Sequence, residues 1–186
     1  CGKSTVAGFW RRWGAEMIDA DEIAHRLIAP GGVCVEEIQQ AFGPRVWAPD
    51  GGIDRTRLAA IVFADAAARE RLNQMLHPPV IRRMRVWAEG IRREGLAGVA
   101  LIPLLFETGM QQEWAVVCVA SDEPVMVQRL MHRGLTVEEA RARMASQWPV
   151  ARKMALADRV IENNGTLEEL EARSRAVWQD LFEQGD

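Results

Sequence analysis

The apolar positions change period along the chain, and the changes mark out its elements. Val6, Ala7, Phe9, Trp10 and Trp13 recur at helical spacing directly after Gly2-Lys3-Ser4-Thr5, so a loop feeds a helix there, and Gly14 closes it. Glu16 to Asp19 (EMID) then reads as a short strand and Asp21 to Ile28 as a second helix, broken at Pro30-Gly31-Gly32. From Val33 to Glu94 the period stays helical, in segments Val33 to Phe42, Asp54 to Phe63, Ala66 to Leu76 and Val80 to Arg93. Gly43-Pro44, Asp50-Gly51-Gly52, Asp65 and Pro78-Pro79 separate them. This stretch holds no convincing strand, and it is expected to be a helical insertion between two strands.

Continuous apolar runs return at Val99 to Leu105 and at Ala115 to Ala120 (AVVCVA), the pattern of strands covered on both faces of a parallel sheet. Thr136-Val137-Glu138-Glu139 and Thr166-Leu167-Glu168-Glu169 each have the form of a capping box and predict two helix starts. Arg159 to Ile161 reads as a last short strand and Leu167 to Phe182 as the closing helix. Strands alternating with helices imply a parallel α/β sheet with right-handed crossovers. A strand feeding the Gly2-Lys3-Ser4-Thr5 turn is expected upstream of Cys1, so a chain that opens here is expected to lack its true N-terminus.

Composition narrows the partners. At 186 residues, 48% hydrophobic and 26% charged, the chain fits one globular domain, or one carrying an insertion. A formal net charge of -3 supplies no overall basic field, so nucleic acid is not an expected partner. Among 23 basic residues only Lys3 and Lys153 are lysine, which draws attention to roles that need a compact ammonium. Cys1, Cys34 and Cys118 match neither a disulfide framework nor CxxC metal spacing, and a reducing compartment is the simpler reading. The longest apolar stretch, Val99 to Phe106, is too short to span a bilayer, and no signal peptide is expected. A cytoplasmic monomer with a small-molecule partner and no membrane partner is expected.

Cys1-Gly2-Lys3-Ser4, followed by Thr5, are the last positions of the pattern G-x-x-x-x-G-K-[ST]. In such a loop backbone N–H groups and a helix N-terminus cradle phosphates, lysine neutralises their charge, and the hydroxyl after it ligates Mg²⁺. The plainer reading is a surface helix start capped by Ser4 or Thr5. Asp19-Ala20-Asp21 ends the second predicted strand, at the sheet edge where ligands bind in open α/β folds. A carboxylate there could take a proton from an attacking hydroxyl, although Asp21 taken alone reads more simply as a helix cap. His77, before Pro78, reads as a helix C-terminal residue, and Glu107 follows a buried strand to the same sheet edge as Asp21. Arg129 and Arg133, four apart on one helix face, with Arg141, Arg143, Arg152 and Lys153 downstream, could close over a triphosphate; Arg133, before Gly134, is the favoured contact.

Taken together, these motifs resemble dephospho-CoA kinase. The matching segments are GKSTVA (2–7), IDADEIAH (18–25), PGG (30–32), FG (42–43), DGGIDRTRL (50–58), VF (62–63), LHP (76–78), PLLFE (103–107), QRLMHR (128–133) and ADRVIENNG (157–165). They keep the family's order over nearly the whole chain. The resemblance implies a three-layer P-loop NTPase fold of the nucleoside-monophosphate-kinase kind, with a core of 1–27 and 94–186, a helical acceptor-binding insertion at 28–93 and a lid at 128–147. It implies ATP and Mg²⁺ as cofactors and phosphorylation of the ribose 3'-hydroxyl of dephospho-CoA. Asp21 takes the general-base position; Cys1, Gly2, Lys3, Ser4, Thr5, Arg133 and Asn163 fall to the nucleotide, with Ser4 on the metal. Asp19, Arg55, His77 and Glu107 fall to the acceptor. Trp148-Pro149 departs from the pattern at the end of the lid, and the absent glycines of the loop imply weak ATP binding by a chain starting at Cys1. Two other readings share the motifs: a small P-loop kinase for nucleoside monophosphates or a sugar-like acid, and a nucleotide-binding module without turnover.

Overall fold

The structure, a computed structural model, describes residues 2–103, 105–106, 110–145 and 147–183. In chain order the elements are α1 (Lys3–Arg12), β1 (Glu16–Asp19), α2 (Ala20–Ile28), α3 (Val35–Phe42), α4 (Arg55–Ala64), α5 (Ala66–Glu94), β2 (Gly98–Leu101), β3 (Val117–Ala120), α6 (Glu123–Met131), α7 (Val137–Ala145), α8 (Val150–Ala155), β4 (Arg159–Glu162) and α9 (Leu167–Phe182). Short 3-10 turns lie at Pro44–Val46 and Met110–Glu113. β1 pairs with β2, and β3 runs parallel to β4 with Val117 opposite Arg159 and Ala120 opposite Glu162. The order is the mixed α/β succession that the periodicity predicts, although only a 3-10 turn is described between β2 and β3. The chain divides into two compact units, Cys1–Glu16 with Pro103–Asp186, and Met17–Ile102.

In the first unit an aromatic cluster fastens α1 to α9. Phe9 and Trp10 lie one residue apart on the buried side of α1, and Trp178 and Phe182 lie one turn apart on α9. Their rings meet at centroid separations of 6.1 Å for Trp10–Trp178, 6.3 Å for Trp10–Phe182 and 4.6 Å for Trp178–Phe182. Trp10 Nε1 donates to the Ser174 carbonyl at 3.3 Å, which satisfies the one polar atom of a buried indole. Aromatic pairs of this kind contribute about 0.5–1.5 kcal/mol each beyond their burial. The capping box expected at Thr166 is present and opens α9, and Arg159 of β4 pairs with Asp180 of α9. The first turn of α1 is therefore held by contacts made further along the same helix.

In the second unit α5 packs with α2, α3 and α4 around Leu27, Ile38, Val46 and Met84, all fully buried. The sequence predicts two helices here, Ala66 to Leu76 and Val80 to Arg93, separated at Pro78-Pro79. One helix instead runs through both prolines from Ala66 to Glu94. A proline ring is compatible with helical φ and costs the bond to the carbonyl four residues back. For Pro79 that carbonyl is Met75 O, and it accepts from the Cys34 thiol at 3.8 Å. His77 consequently sits inside a helix and not at its end. The strand predicted at Val99 to Leu105 ends at Leu101, two residues short of Pro103, which has no N–H to offer a ladder.

The turn before α4 is fixed against the end of α2. Ile53 N donates to Ile28 O at 3.0 Å, Asp54 N to Val46 O at 2.8 Å, and Gly52 lies so close to Pro30 that a Cβ would meet its ring within 3.0 Å. Asp54 then caps α4 by accepting from Arg57 N at 3.0 Å. No helix among the described residues is long and apolar enough to cross a membrane.

Candidate active site

The phosphate-loop end is built on Gly2. Its φ of 96° is left-handed, and its carbonyl accepts from Thr5 N at 3.0 Å and Val6 N at 3.1 Å to open α1. A Cβ at this position would come within 3.0 Å of Asn163 Nδ2, so both the backbone conformation and the space demand glycine. Neither Ser4 nor Thr5 caps the helix: Gly2 is the N-cap, with no side-chain cap bond. The amide donors of the first turn are thus not satisfied by a capping side chain, which is the condition for receiving an anion. Lys3 and Thr5 are half-buried and Ser4 is exposed.

Asn163 reaches Gly2 because it is tied to the end of β3. Its N–H donates to Ala120 O at 2.7 Å, and its carbonyl accepts from Ser121 Oγ at 2.8 Å. Arg129 completes the knot, donating to the Asn163 carbonyl at 2.9 Å, to Asn163 Oδ1 at 3.1 Å and to Ser121 Oγ at 3.1 Å. Asn163 and Ser121 are both buried. The pairing of Arg129 with Arg133 on one helix face needs correcting: α6 ends at Met131, and Arg133 lies exposed in the turn that follows, closed by Gly134 at φ 91°. Arg129 turns inward to Asn163 and is not a free lid cation.

After that turn the second expected capping box is present, with Thr136 N donating to Glu139 Oε2 at 2.8 Å and Glu139 N to Thr136 Oγ1 at 3.2 Å. Trp148, the residue that departs from the family pattern, stacks on Phe106 at 6.5 Å and carries the Arg152 guanidinium 3.4 Å from its ring centroid. Burial pushes the Cys118 thiol up, while the Lys153 and Lys3 ammonium groups pull it back down. Both lysines of the chain therefore act on Cys118 of β3.

In the second unit the two aspartates divide their tasks. Asp19 Oδ1 accepts from Asp21 N at 2.8 Å and is the N-cap of α2, so the cap that the sequence assigns to Asp21 belongs to Asp19. The Asp21 carboxylate stands exposed in the first turn, with no hydrogen-bond or ion-pair partner among the described residues. Arg55, first residue of α4, points a guanidinium nitrogen at His25 Nε2 of α2 at 2.7 Å. His77 is half-buried in α5; burial lowers its pKa, and Glu70 opposes that shift.

Gly2, Lys3, Ser4, Thr5, Arg133 and Asn163 thus belong to the first unit, and Asp19, Asp21, Arg55 and His77 to the second. Cys1 and Glu107 lie outside the described residues. Sequence reasoning missed the inward role of Arg129 and the contact of His25 with Arg55. Both residues stand inside matching segments, QRLMHR and IDADEIAH, but spacing alone does not say whether a basic side chain faces solvent or a buried carbonyl.

Known proteins resemble this chain over nearly its whole length. The family model for dephospho-CoA kinase matches residues 1–169. The dephospho-CoA kinase of Geobacillus kaustophilus is 45% identical over 187 residues, covering 97% of this chain and 92% of its own. That of Moorella thermoacetica is 44% identical over 184 residues, covering 97% and 87%. Among solved structures, a dephospho-CoA kinase from Campylobacter jejuni superposes with a TM-score of 0.77 at 28% identity, covering 98% of this chain and 92% of that one. A Thermus thermophilus protein gives a TM-score of 0.80 at 37% identity, with coverage of 97% and 92%.

Proposed function

The chain belongs to the dephospho-CoA kinase family, and on that premise we propose how its residues divide the work of the reaction. The reaction passes the γ-phosphate of ATP to the ribose 3'-hydroxyl of dephospho-CoA, giving coenzyme A and ADP, the last step of coenzyme A biosynthesis. Lys3 and the first-turn amides of α1 hold the phosphates, and Arg133 supplies charge from the segment 128–147, acting as a lid. Gly2, Thr5 and Asn163 shape the nucleotide side. Magnesium ordinarily takes one or two protein oxygens and completes its shell with phosphates and water; the exposed Ser4 hydroxyl fits that use. When bound, the ion would neutralise phosphate charge.

Asp21 orients the acceptor hydroxyl and takes its proton, while Asp19, Arg55 and His77 hold the acceptor against the helical segment 28–93. The observation that carries the assignment of the base is the division between the aspartates. One oxygen of Asp19 is committed to the Asp21 amide, whereas both oxygens of the Asp21 carboxylate are left to meet a substrate. Because in-line phosphoryl transfer needs little covalent help, positioning and charge stabilisation supply most of the rate. Asp21→Asn keeps the shape and removes the base, so kcat should fall by about 10²–10⁴ with the KM for ATP little changed. ADP release coupled to dephospho-CoA measures it, and an unaltered kcat removes Asp21 from the role.

A further inference from the structure

The acceptor half contains a contact that this division of labour does not use. Arg55 Nη2 and His25 Nε2 stand 2.7 Å apart, and every guanidinium nitrogen is a donor. For the contact to be a hydrogen bond, Nε2 of His25 must be the acceptor, so the imidazole is neutral with its proton on Nδ1. A histidine facing a guanidinium through Nε2 serves as a fixed lone pair that holds one prong of the fork. Both ends of the contact are anchored by backbone. His25 is in the last turn of α2, four residues after Asp21 on the same helix face. Arg55 follows Asp54, whose amide bonds Val46 O, and Ile53, whose amide bonds the end of α2 itself at Ile28 O. A flexible side chain on a fixed helix start is thus held at its tip by a second fixed helix, one turn along from the Asp21 carboxylate.

We propose that His25 is a positioning residue for Arg55: its neutral Nε2 accepts from the guanidinium and fixes the fork in the direction from which it meets dephospho-CoA. The proposal rests on the reading of Arg55 as an acceptor contact. A guanidinium that must be ordered on binding costs side-chain entropy that a held one has already lost. Loss of His25 therefore weakens acceptor binding and leaves the nucleotide side untouched. Glutamine sets its Oε1 close to where Nε2 of histidine stands, whereas asparagine sets its oxygen near the Nδ1 position.

The test compares His25→Ala, His25→Gln, His25→Asn, Arg55→Ala and the double variant His25→Ala/Arg55→Ala by steady-state kinetics with dephospho-CoA and ATP, alongside thermal unfolding. His25→Ala should raise the KM for dephospho-CoA roughly fivefold, with kcat, the KM for ATP and the Tm unchanged. His25→Gln should restore that KM and His25→Asn should not. Arg55→Ala should raise it by about tenfold or more, and adding His25→Ala should do nothing further. If Arg55→Ala has its effect but His25→Ala has none, or Gln and Asn behave alike, the positioning role is overturned while the reading of Arg55 survives. If Arg55→Ala leaves the KM for dephospho-CoA unchanged, the reading of Arg55 fails and the positioning role fails with it. A His25→Ala defect that appears equally in both substrates together with a lowered Tm makes His25 merely structural, and also overturns the proposal.

Discussion

Gly2→Ala perturbs the point where the nucleotide half depends most on the absence of a side chain. The residue has a φ of 96°, a conformation that costs an alanine about 1–2 kcal/mol. Its new methyl would also lie within 3.0 Å of Asn163 Nδ2. A surface asparagine would swing away at little cost, but Asn163 is buried and its Oδ1 is held by Arg129 at 3.1 Å. Moving it breaks a hydrogen bond to a charged group, about 1.5–3 kcal/mol. The sum is about 2.5–5 kcal/mol, which for a chain of this size lowers the Tm by roughly 5–20 °C. Urea unfolding followed by tryptophan fluorescence measures the loss, and Gly8→Ala is the control. Gly8 lies in the middle of α1 with open space around a Cβ, so alanine there should stabilise by about 0.5–1 kcal/mol. In an Asn163→Ala background the clash disappears, and Gly2→Ala should cost only its backbone strain of about 1–2 kcal/mol. A Gly2→Ala protein as stable as the parent, or an equal cost in both backgrounds, refutes the account of how Asn163 supports the loop.

The remaining predictions concern buried polar groups. Arg129→Lys replaces a fork that serves Asn163 O, Asn163 Oδ1 and Ser121 Oγ with one ammonium, and should destabilise by about 2–3 kcal/mol in urea unfolding. A stability change under about 0.5 kcal/mol with a raised KM for ATP would return Arg129 to the lid. His77, whose pKa burial lowers, binds a proton less readily folded than unfolded. Stability should therefore fall as pH drops through the unfolded imidazole value of about 6.5, and His77→Gln should flatten that part of the Tm–pH curve. A curve of the same slope in both proteins rules this out.

Much of the fold was legible because its signals are local. β1 and α9 have the bounds their patterns gave, and both capping boxes formed, since a Thr and a Glu three residues apart carry their own instructions. The Pro78-Pro79 break misled because proline's local cost is visible in a sequence and its compensation is not. The partner of the freed Met75 carbonyl is Cys34, forty-one residues away and unremarkable in its own segment. The same limit applies to the site. Gly2, Lys3 and Ser4 announce themselves through a motif, whereas the sequence, though it favours Arg133, does not reveal that Arg129 turns inward while Arg133 stays outside beyond the end of α6 at Met131.

The sequence left open how α1 and α2 begin, and that distinction bears on both proposed sites. α1 begins on Gly2, which has no side chain to cap the helix, so no capping charge stands at the positive end of its dipole. α2 begins on Asp19, whose carboxylate occupies the Asp21 amide and brings negative charge to the same position on the helix. The spacing Asp-Ala-Asp follows from this geometry. The capping oxygen reaches the amide two residues on, and the residue that owns that amide must lie in the first turn with its own side chain clear of the cap. The second aspartate is thereby held in place by the first without being consumed by it. Exchanging the two roles would need a different helix start, which is why the proposed proton acceptor is Asp21 and not Asp19.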